Sequence, residues 1–124
     1  MRRSKKPKAL VLDDERPMET LFTLFMAMLD WECEVVSSAE EALSRLKQAR
    51  FDVIITDYHL SAGDGLQFLC SARRNAIGIP AIVMSGDAKA LHFVPKELLD
   101  VRAVLLKPFT GTQLNDALEL ALVP

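Results

Sequence analysis

The 124 residues include 15 basic and 17 acidic side chains, for a formal net charge of −2, and half of them are apolar. This is enough chain for one globular domain with a single core, and no apolar run is long enough to span a membrane. The N-terminus lacks a hydrophobic signal segment, and the two cysteines, Cys33 and Cys70, lie in apolar-periodic segments. We therefore expect buried thiols rather than a disulfide, and a cytoplasmic location.

Residues 1–7 are expected to form a basic, flexible N-terminal arm that precedes a domain over residues 8–124. Five basic residues lie within "MRRSKKPK" (1–8), and all 17 acidic residues follow it. A basic arm can contact nucleic acid or a membrane surface, but a solvated tail is the simpler interpretation for one so short. The acidic remainder argues against direct nucleic-acid binding by the domain.

Apolar runs alternate with amphipathic segments along the first half of the chain. The predicted elements are a strand in "KALVLDD" (8–14), a helix over 16–31, a strand over 33–38, a helix opened by Ser38, and a strand over 52–56. Ser38 and Glu41 have the spacing of a capping box. The last strand, "DVIIT", is a nearly continuous β-branched run, which is typical of a strand covered on both faces.

The second half continues the alternation. It predicts a helix over 64–75, a strand over 79–85, a short helix over 86–94 ended near Pro95, a strand over 102–107 and a helix over 110–122 with a Thr110–Gln113 capping box. Five strands alternating with five helices indicate an α/β fold, a doubly wound parallel sheet with helices on both faces. In such sheets, sites form beyond the carboxyl ends of the strands.

Polar and charged side chains stand where the predicted strands end. Asp13 and Asp14 follow the first strand, Asp57 the third, Ser85 the fourth and Lys107 the fifth. Clustered carboxylates repel one another unless a cation intervenes, and carboxylates with water suit Mg²⁺. An aspartate beside such a cation can attack phosphorus and form an aspartyl phosphate. The cluster therefore predicts Asp57 as a nucleophile.

These residues resemble the receiver domain of two-component response regulators, from about Lys8 onward. The resemblance is carried by the Asp13-Asp14 pair, "DYHLSAGDG" around Asp57, "MSG" with Ser85 and "KPF" at 107–109. It implies a flavodoxin-like, five-stranded sheet in the order 2-1-3-4-5. It also implies phosphorelay signalling, in which a histidine kinase or phosphotransfer protein donates a phosphoryl group and a conformational change reaches a downstream target or output domain.

The resemblance also implies the role of each residue. Asp57 would be the phosphoacceptor. Asp14, Asp57 and the backbone carbonyl of His59 would bind Mg²⁺ directly, with Asp13 acting through water. Ser85 and Lys107 would contact the phosphoryl group. Catalysis would be limited to the domain's own phosphorylation and dephosphorylation. The domain would not insert into a membrane. Whether phosphorylation drives dimerisation is left open.

The chain departs from the family pattern at three places. Val104 stands where many receivers have an aromatic residue that swings inward, and Phe93 is a candidate replacement, although a core position is the simpler interpretation for it. Leu60-Ser61 replaces the usual Met-Pro after the phosphoacceptor, and Pro95 shortens the fourth helix. We expect the chemistry to transfer better than the output surface.

Three other interpretations compete with this one. The main alternative is a scaffold with the receiver fold that is never phosphorylated, against which the complete set of site residues counts. A dehalogenase-like phosphatase would place its nucleophile after the first strand, and a flavodoxin would need a first loop without acids.

His59 and Asp87 could flank the phosphoryl group and tune its hydrolysis, with inert loop positions an equal alternative.

Overall fold

The structure is a computed structural model that describes residues 6–124, apart from the side chains of residues 16–19. Residues 1–5 of the expected arm lie outside the described residues. Lys6, within the arm, places Nζ 3.3 Å from the Asp30 carboxylate, and the Pro7 carbonyl accepts a hydrogen bond from the Glu32 N–H at 2.9 Å. The arm and its boundary with the domain stay predictions.

In the described part of the chain, five parallel strands form one sheet in the predicted order, β2-β1-β3-β4-β5. They are β1 (Lys8–Leu12), β2 (Glu32–Val36), β3 (Val53–Asp57), β4 (Ala81–Ser85) and β5 (Val101–Leu106). The chain moves outward from β1 to β2 and then crosses back to β3 on the other side of β1. The winding therefore reverses between β1 and β3, which is where parallel sheets of this kind open a crevice for ligands.

Within residues 6–124, six helices connect and flank the strands. They are α1 (Arg16–Met28), α2 (Ala39–Gln48), α3 (Gly65–Arg74), α4 (Ala88–His92), α5 (Lys96–Leu99) and α6 (Gly111–Leu122). The predicted Thr110–Gln113 capping box is present at α6. At α2 the Ser38 side chain accepts from the Glu41 N–H as predicted, but the Glu41 carboxylate accepts from the Ser37 N–H at 3.4 Å. That capping box is therefore only half formed.

Helices cover both faces of the sheet, as predicted. Helices α1 and α6 pack on one face, where Phe22, Met26, Leu114 and Leu118 meet β-strand residues such as Val11 and Ile55. Helices α2 to α5 lie over the other face, on a cluster built around Leu10, Ile54, Val83, Phe68 and Leu69. The residues of β3 and β4 are all buried, as the continuous apolar runs of these two strands predicted.

The segment between β4 and β5 differs most from the sequence-based expectation. Helix α4 ends at His92, before Pro95, as expected, but α5 follows it and was not predicted. Phe93 is 76% exposed, so its expected place in the core is wrong. Val104 packs half-buried against the cluster under α2 to α5. Helix α5 is held by Arg73, which donates two hydrogen bonds to the Leu99 carbonyl.

The two cysteines lie in β2 and α3 without a disulfide between them. Both are half-buried, so the expectation of buried thiols is wrong. Among the described residues, none of the helices has both the length and the apolar character that crossing a bilayer would need.

Candidate functional site

Three carboxylates converge where the winding of the sheet reverses. Asp13 and Asp14 follow β1, and Asp57 is the last residue of β3. Because β1 and β3 are paired neighbours in parallel register, their carboxyl ends lie side by side. One oxygen from each of the three carboxylates lies within 4.8 Å of the others. The structure thus brings together the acids that the sequence predicted as one group.

Lys107 reaches this group from the end of β5. Its Nζ lies 2.8 Å from Oδ1 and 3.0 Å from Oδ2 of Asp57. The same ammonium group is 3.8 Å from Asp13 and 3.6 Å from Glu15. The backbone N–H of Lys107 donates to the Ser85 carbonyl at 2.8 Å, which continues the pairing of β5 with β4 beyond the end of the strand. This hydrogen bond fixes the position of the Lys107 backbone and so orients its side chain toward the site.

Asp13 is almost fully buried and only partly satisfied. Its Oδ1 accepts a hydrogen bond from the Glu15 N–H at 2.9 Å, which turns the chain into α1. Its Oδ2 is buried and has no hydrogen-bond partner among the described residues. A buried carboxylate oxygen without a donor is costly, so this atom is suited to a further cationic or water partner.

Burial and the neighbouring charges shift the pKa of Asp57. Burial raises the pKa of Asp57 to about 6; the hydrogen bond from Lys107 opposes this shift, and the charge of Asp13 adds to it. For Lys107, burial acts to lower the pKa, but the hydrogen bond and charge of Asp57 outweigh it, and the pKa is raised overall. One ammonium group therefore does not balance the buried negative charge.

Asp14 is in a different state from Asp57. Its Oδ2 accepts two hydrogen bonds from Ser61, from the backbone N–H at 2.6 Å and from Oγ at 2.5 Å. The side-chain bond from Ser61 is the largest cause that lowers the pKa of Asp14. In the sequence, Ser61 is distinguished only by standing where a proline is usual. The replacement could have indicated this contact, because a serine in place of a proline adds two hydrogen-bond donors, an N–H and a hydroxyl, near the acidic pair.

Gly65 is a second residue whose contribution the sequence reasoning missed. Its N–H donates to the Tyr58 carbonyl at 2.7 Å, which brings the start of α3 against the end of β3. A Cβ at this position would lie 2.2 Å from the Asp57 carbonyl oxygen and 3.1 Å from Thr56 Oγ1. Only glycine allows this approach, and the glycine directly after the N-cap residue Asp64 was the available signal.

The remaining predicted residues lie at the same edge with fewer contacts. Ser85 is buried, one position beyond Met84, the residue that pairs with Asp57, and its Oγ accepts from the Asp87 N–H at 2.9 Å. The Asp87 side chain caps α4 through the Lys89 N–H. The exposed His59 ring packs 4.8 Å from the Tyr58 ring, and His59 bridges to Asp64 across the loop.

The donor set of this site fits a hard divalent cation. It consists of three oxygen-bearing side chains close together, a buried oxygen without a donor and an acid whose pKa is raised by burial. Neither thiol of the chain is part of the cluster, and carboxylates with water and backbone carbonyls are the ligands of Mg²⁺. The cation would offset the charge that Lys107 leaves unbalanced.

Comparison with known families and sequences agrees with this geometry. The family model described as the response regulator receiver domain matches residues 9–119. The transcription factor SKN7 of Chaetomium thermophilum is 27% identical over 117 residues, which is 93% of this chain but 15% of that protein. The chemotaxis protein CheY-3 of Vibrio cholerae is 24% identical over 119 residues, 94% of this chain and 92% of that protein.

Solved structures share the fold. A sensor protein from Polaromonas has a TM-score of 0.85 at 23% identity, with 94% of this chain and 95% of that chain covered. The response regulator protein TrrA from Thermotoga maritima, determined in complex with Mg²⁺ and BeF, has a TM-score of 0.80 at 18% identity, with coverage of 91% and 96%. At these identities the likeness shows the fold.

Proposed function

The chain belongs to the response regulator receiver domain family, a family of two-component phosphoacceptor domains, and on this premise we propose that Asp57 is the residue that accepts the phosphoryl group. The observation that carries the proposal is the position of the Asp57 carboxylate. The end of a buried strand holds it, 2.8 Å from the Lys107 ammonium group and beside two other acids. A fixed carboxylate of this kind is the nucleophile that aspartyl-phosphate chemistry needs.

In the proposed step, an oxygen of Asp57 attacks the phosphorus of the donor. The new bond joins that oxygen to phosphorus, and the bond between phosphorus and the donor breaks, with its electron pair leaving on the donor. In this proposal Lys107 would hold one phosphoryl oxygen, and the Ser85 hydroxyl would hold a second. Holding the charge on the phosphoryl oxygens is most of what such a transfer requires of a protein.

We propose Mg²⁺ as the cofactor of this step. Asp14, Asp57 and the His59 carbonyl would bind it directly, and Asp13 through water. When bound, the cation supplies charge neutralisation that lets an anionic phosphoryl group approach three carboxylates. The unsatisfied Asp13 Oδ2 and the raised pKa of Asp57 support this assignment. Catalysis by the domain would be limited to its own phosphorylation and dephosphorylation.

The proposed donor is a phosphohistidine of a histidine kinase or phosphotransfer protein. An open apolar pocket beside Lys107 supports docking of a helical partner there; it is lined by Glu15, Leu21, Phe22, Phe25, Lys107, Pro108 and Phe109. Leu24 and Met28 stand three and seven residues after Leu21 on α1, at helical spacing, and are 57% and 81% exposed. A downstream target or output domain would read the phosphorylated state. A cytoplasmic location and a phosphorylation-dependent dimer stay proposals of the same kind.

Intact-mass spectrometry after incubation with MgCl₂ and acetyl phosphate tests the proposal. We expect one added phosphoryl group, lost in Asp57→Asn and lost when EDTA replaces the metal. Beryllofluoride with Mg²⁺ gives a second arm that does not depend on the donor, read as an increase in Tm that Asp57→Asn lacks. The absence of both responses would favour the scaffold that shares the fold. An adduct that persists in Asp57→Asn would place the phosphoacceptor elsewhere.

A further inference from the structure

Ser61 forms a direct link between the two segments that frame the acidic site. Its backbone N–H and its Oγ both donate to the same atom, Asp14 Oδ2, at 2.6 and 2.5 Å. The two residues are 47 positions apart in the chain, so this is a tertiary contact and not a local turn. A carboxylate oxygen has two lone-pair sites, and here one side chain and its own backbone fill both of them.

The consequence for Asp14 is a fixed carboxylate. Because both sites on Oδ2 are occupied by Ser61, Oδ1 is the oxygen that remains for a cation. A carboxylate with one oxygen anchored cannot rotate freely, so it loses less conformational freedom when the other oxygen binds a metal. Hydrogen bonds of this kind to metal-binding carboxylates orient the ligand and raise metal affinity.

The consequence for the loop is equally direct. Ser61 lies two residues after His59, in the loop that joins β3 to α3, and Asp14 lies after β1. The two bonds therefore set the separation between Asp14 and the backbone that carries the His59 carbonyl. A proline at position 61 could make neither bond, because it has no N–H and no hydroxyl. In this chain the contact depends on serine.

We propose that Ser61 is a positioning residue for the Mg²⁺ site, which it builds by anchoring Asp14 Oδ2 and fixing the loop of His59. Ser61 is not itself a ligand; it acts through Asp14. This inference rests on the proposed function, since it concerns the same cation. It deepens that function by assigning part of the affinity for Mg²⁺ to a residue outside the acidic cluster.

Isothermal titration calorimetry with MgCl₂ alone, without a phosphoryl donor, measures the effect. Ser61→Ala keeps the N–H and removes the hydroxyl, and we expect it to weaken Mg²⁺ binding by about tenfold, the lower end for such partners. Ser61→Pro removes both donors and should weaken binding further. Ser61→Thr keeps both donors and should stay within about twofold of the parent. The matched control is Ser44→Ala, an exposed serine on α2 that contacts Gln48, and it should bind Mg²⁺ as the parent does.

A second measurement separates positioning from a general role in the loop. In EDTA, Ser61→Ala should lower Tm in the parent protein but not in an Asp14→Ala background, where the acceptor is absent. An equal decrease of Tm in both backgrounds would overturn the link through Asp14. So would a Ser61→Ala protein that binds Mg²⁺ as tightly as the parent, or more tightly. If the parent itself binds no Mg²⁺, both the proposed metal site and this inference fail, whereas normal binding by parent and variant alike removes the inference alone.

Discussion

The Lys107 ammonium group lies 2.8 Å from Oδ1 and 3.0 Å from Oδ2 of Asp57, although 50 residues separate the two. Asp57 is the last residue of β3 and Lys107 directly follows β5, and these strands are not neighbours, since β4 lies between them. The lysine side chain therefore crosses the end of β4 to reach the carboxylate. Asp13 and Glu15 lie within 4 Å of the same ammonium group. One cation thus faces three acids, and this imbalance is the basis of the first two predictions.

Lys107→Met should destabilise the metal-free protein at pH 7 by about 3 kcal/mol, because it leaves buried carboxylates without their charged partner. Mg²⁺ should still bind, since the lysine is not among the expected ligands, and it should recover part of the lost stability. Denaturation with urea in EDTA and in MgCl₂ measures both effects. Lys89→Met, at an exposed position on α4, is the control. A Lys107→Met protein that no longer binds Mg²⁺ would show that the lysine positions the acids.

Asp57→Asn should make the metal-free protein more stable at neutral pH. The unfolded chain releases the Asp57 proton near the ordinary pKa of 3.8, whereas the folded protein retains it up to about 6. The native state binds more protons between these values, so stability falls as the pH rises through this window. The asparagine variant lacks this loss, and its advantage should grow by about 2 kcal/mol from pH 4 to pH 7.

Urea denaturation across that pH range in EDTA checks the prediction through the difference between the two proteins. The lowered pKa of Asp14 gives stability that is lost as the pH falls, but this contribution is present in both proteins and cancels. Saturating Mg²⁺ at pH 7 should reverse the order by stabilising the parent. Parallel stability curves in EDTA would contradict the prediction. Asp14→Ala should not give the same relief, because Asp14 has its two bonds from Ser61.

Gly65→Ala should disturb both the fold and the site. The added Cβ would lie 2.2 Å from the Asp57 carbonyl oxygen, which is backbone and cannot rotate away. We expect a loss of about 2–3 kcal/mol in unfolding free energy, as for other overpacked positions, together with weaker Mg²⁺ binding as Asp57 moves. Gly78→Ala is the matched control, because no atom lies within 4 Å of its added Cβ. If the two variants are equally stable, α3 can shift to make room.

The sequence predicted where these acids and Lys107 converge because of a property of parallel sheets. Each predicted strand was a compact apolar run, and its last residue could be located to within one or two positions. Once the strands are parallel, their carboxyl ends share one edge, and Asp13, Asp57 and Lys107 must gather there. No side-chain detail was needed for this conclusion. The layered architecture followed from the same alternation of apolar runs and amphipathic segments.

The bonds between Ser61 and Asp14 could not be predicted in this way. Loop residues have no periodicity, and which loop side chain meets which acid depends on the path of the backbone between β3 and α3. The exposure of Phe93 was missed for a related reason. An aromatic residue after a short amphipathic run is usually buried, but α4 ends at His92 and its last turn points Phe93 outward. Hydrophobicity alone does not fix where so short a helix stops.

Helix α5 escaped prediction because its four residues are too few to show helical periodicity. Its position depends on a residue 26 positions earlier, Arg73 on α3. Arg73 donates to the Leu99 carbonyl from Nε at 3.1 Å and from Nη2 at 2.7 Å, and to the Ile77 carbonyl from Nη1 at 2.6 Å. Burial lowers the pKa of the Arg73 guanidinium group, and the charge of Asp100 opposes this shift. Arg73 therefore holds α5 through hydrogen bonds from its planar guanidinium group.

Arg73→Lys should loosen α5 while leaving the sheet unchanged, because an ammonium group cannot reproduce the fork that holds the Leu99 carbonyl. Hydrogen exchange at the amides of Leu99 and Asp100, which close the turns of α5, should accelerate by about tenfold, as expected for the loss of one to two hydrogen bonds. Arg74→Lys is the control, since the exposed Arg74 makes a single 3.4 Å hydrogen bond to Ser71. Unchanged exchange would mean that the buried Leu99 side chain alone holds α5. Faster exchange throughout β4 and β5 would mean instead that Arg73 supports this edge of the sheet. In that case α5 does not open independently of β4, which ends at Ser85, and β5, which Lys107 follows.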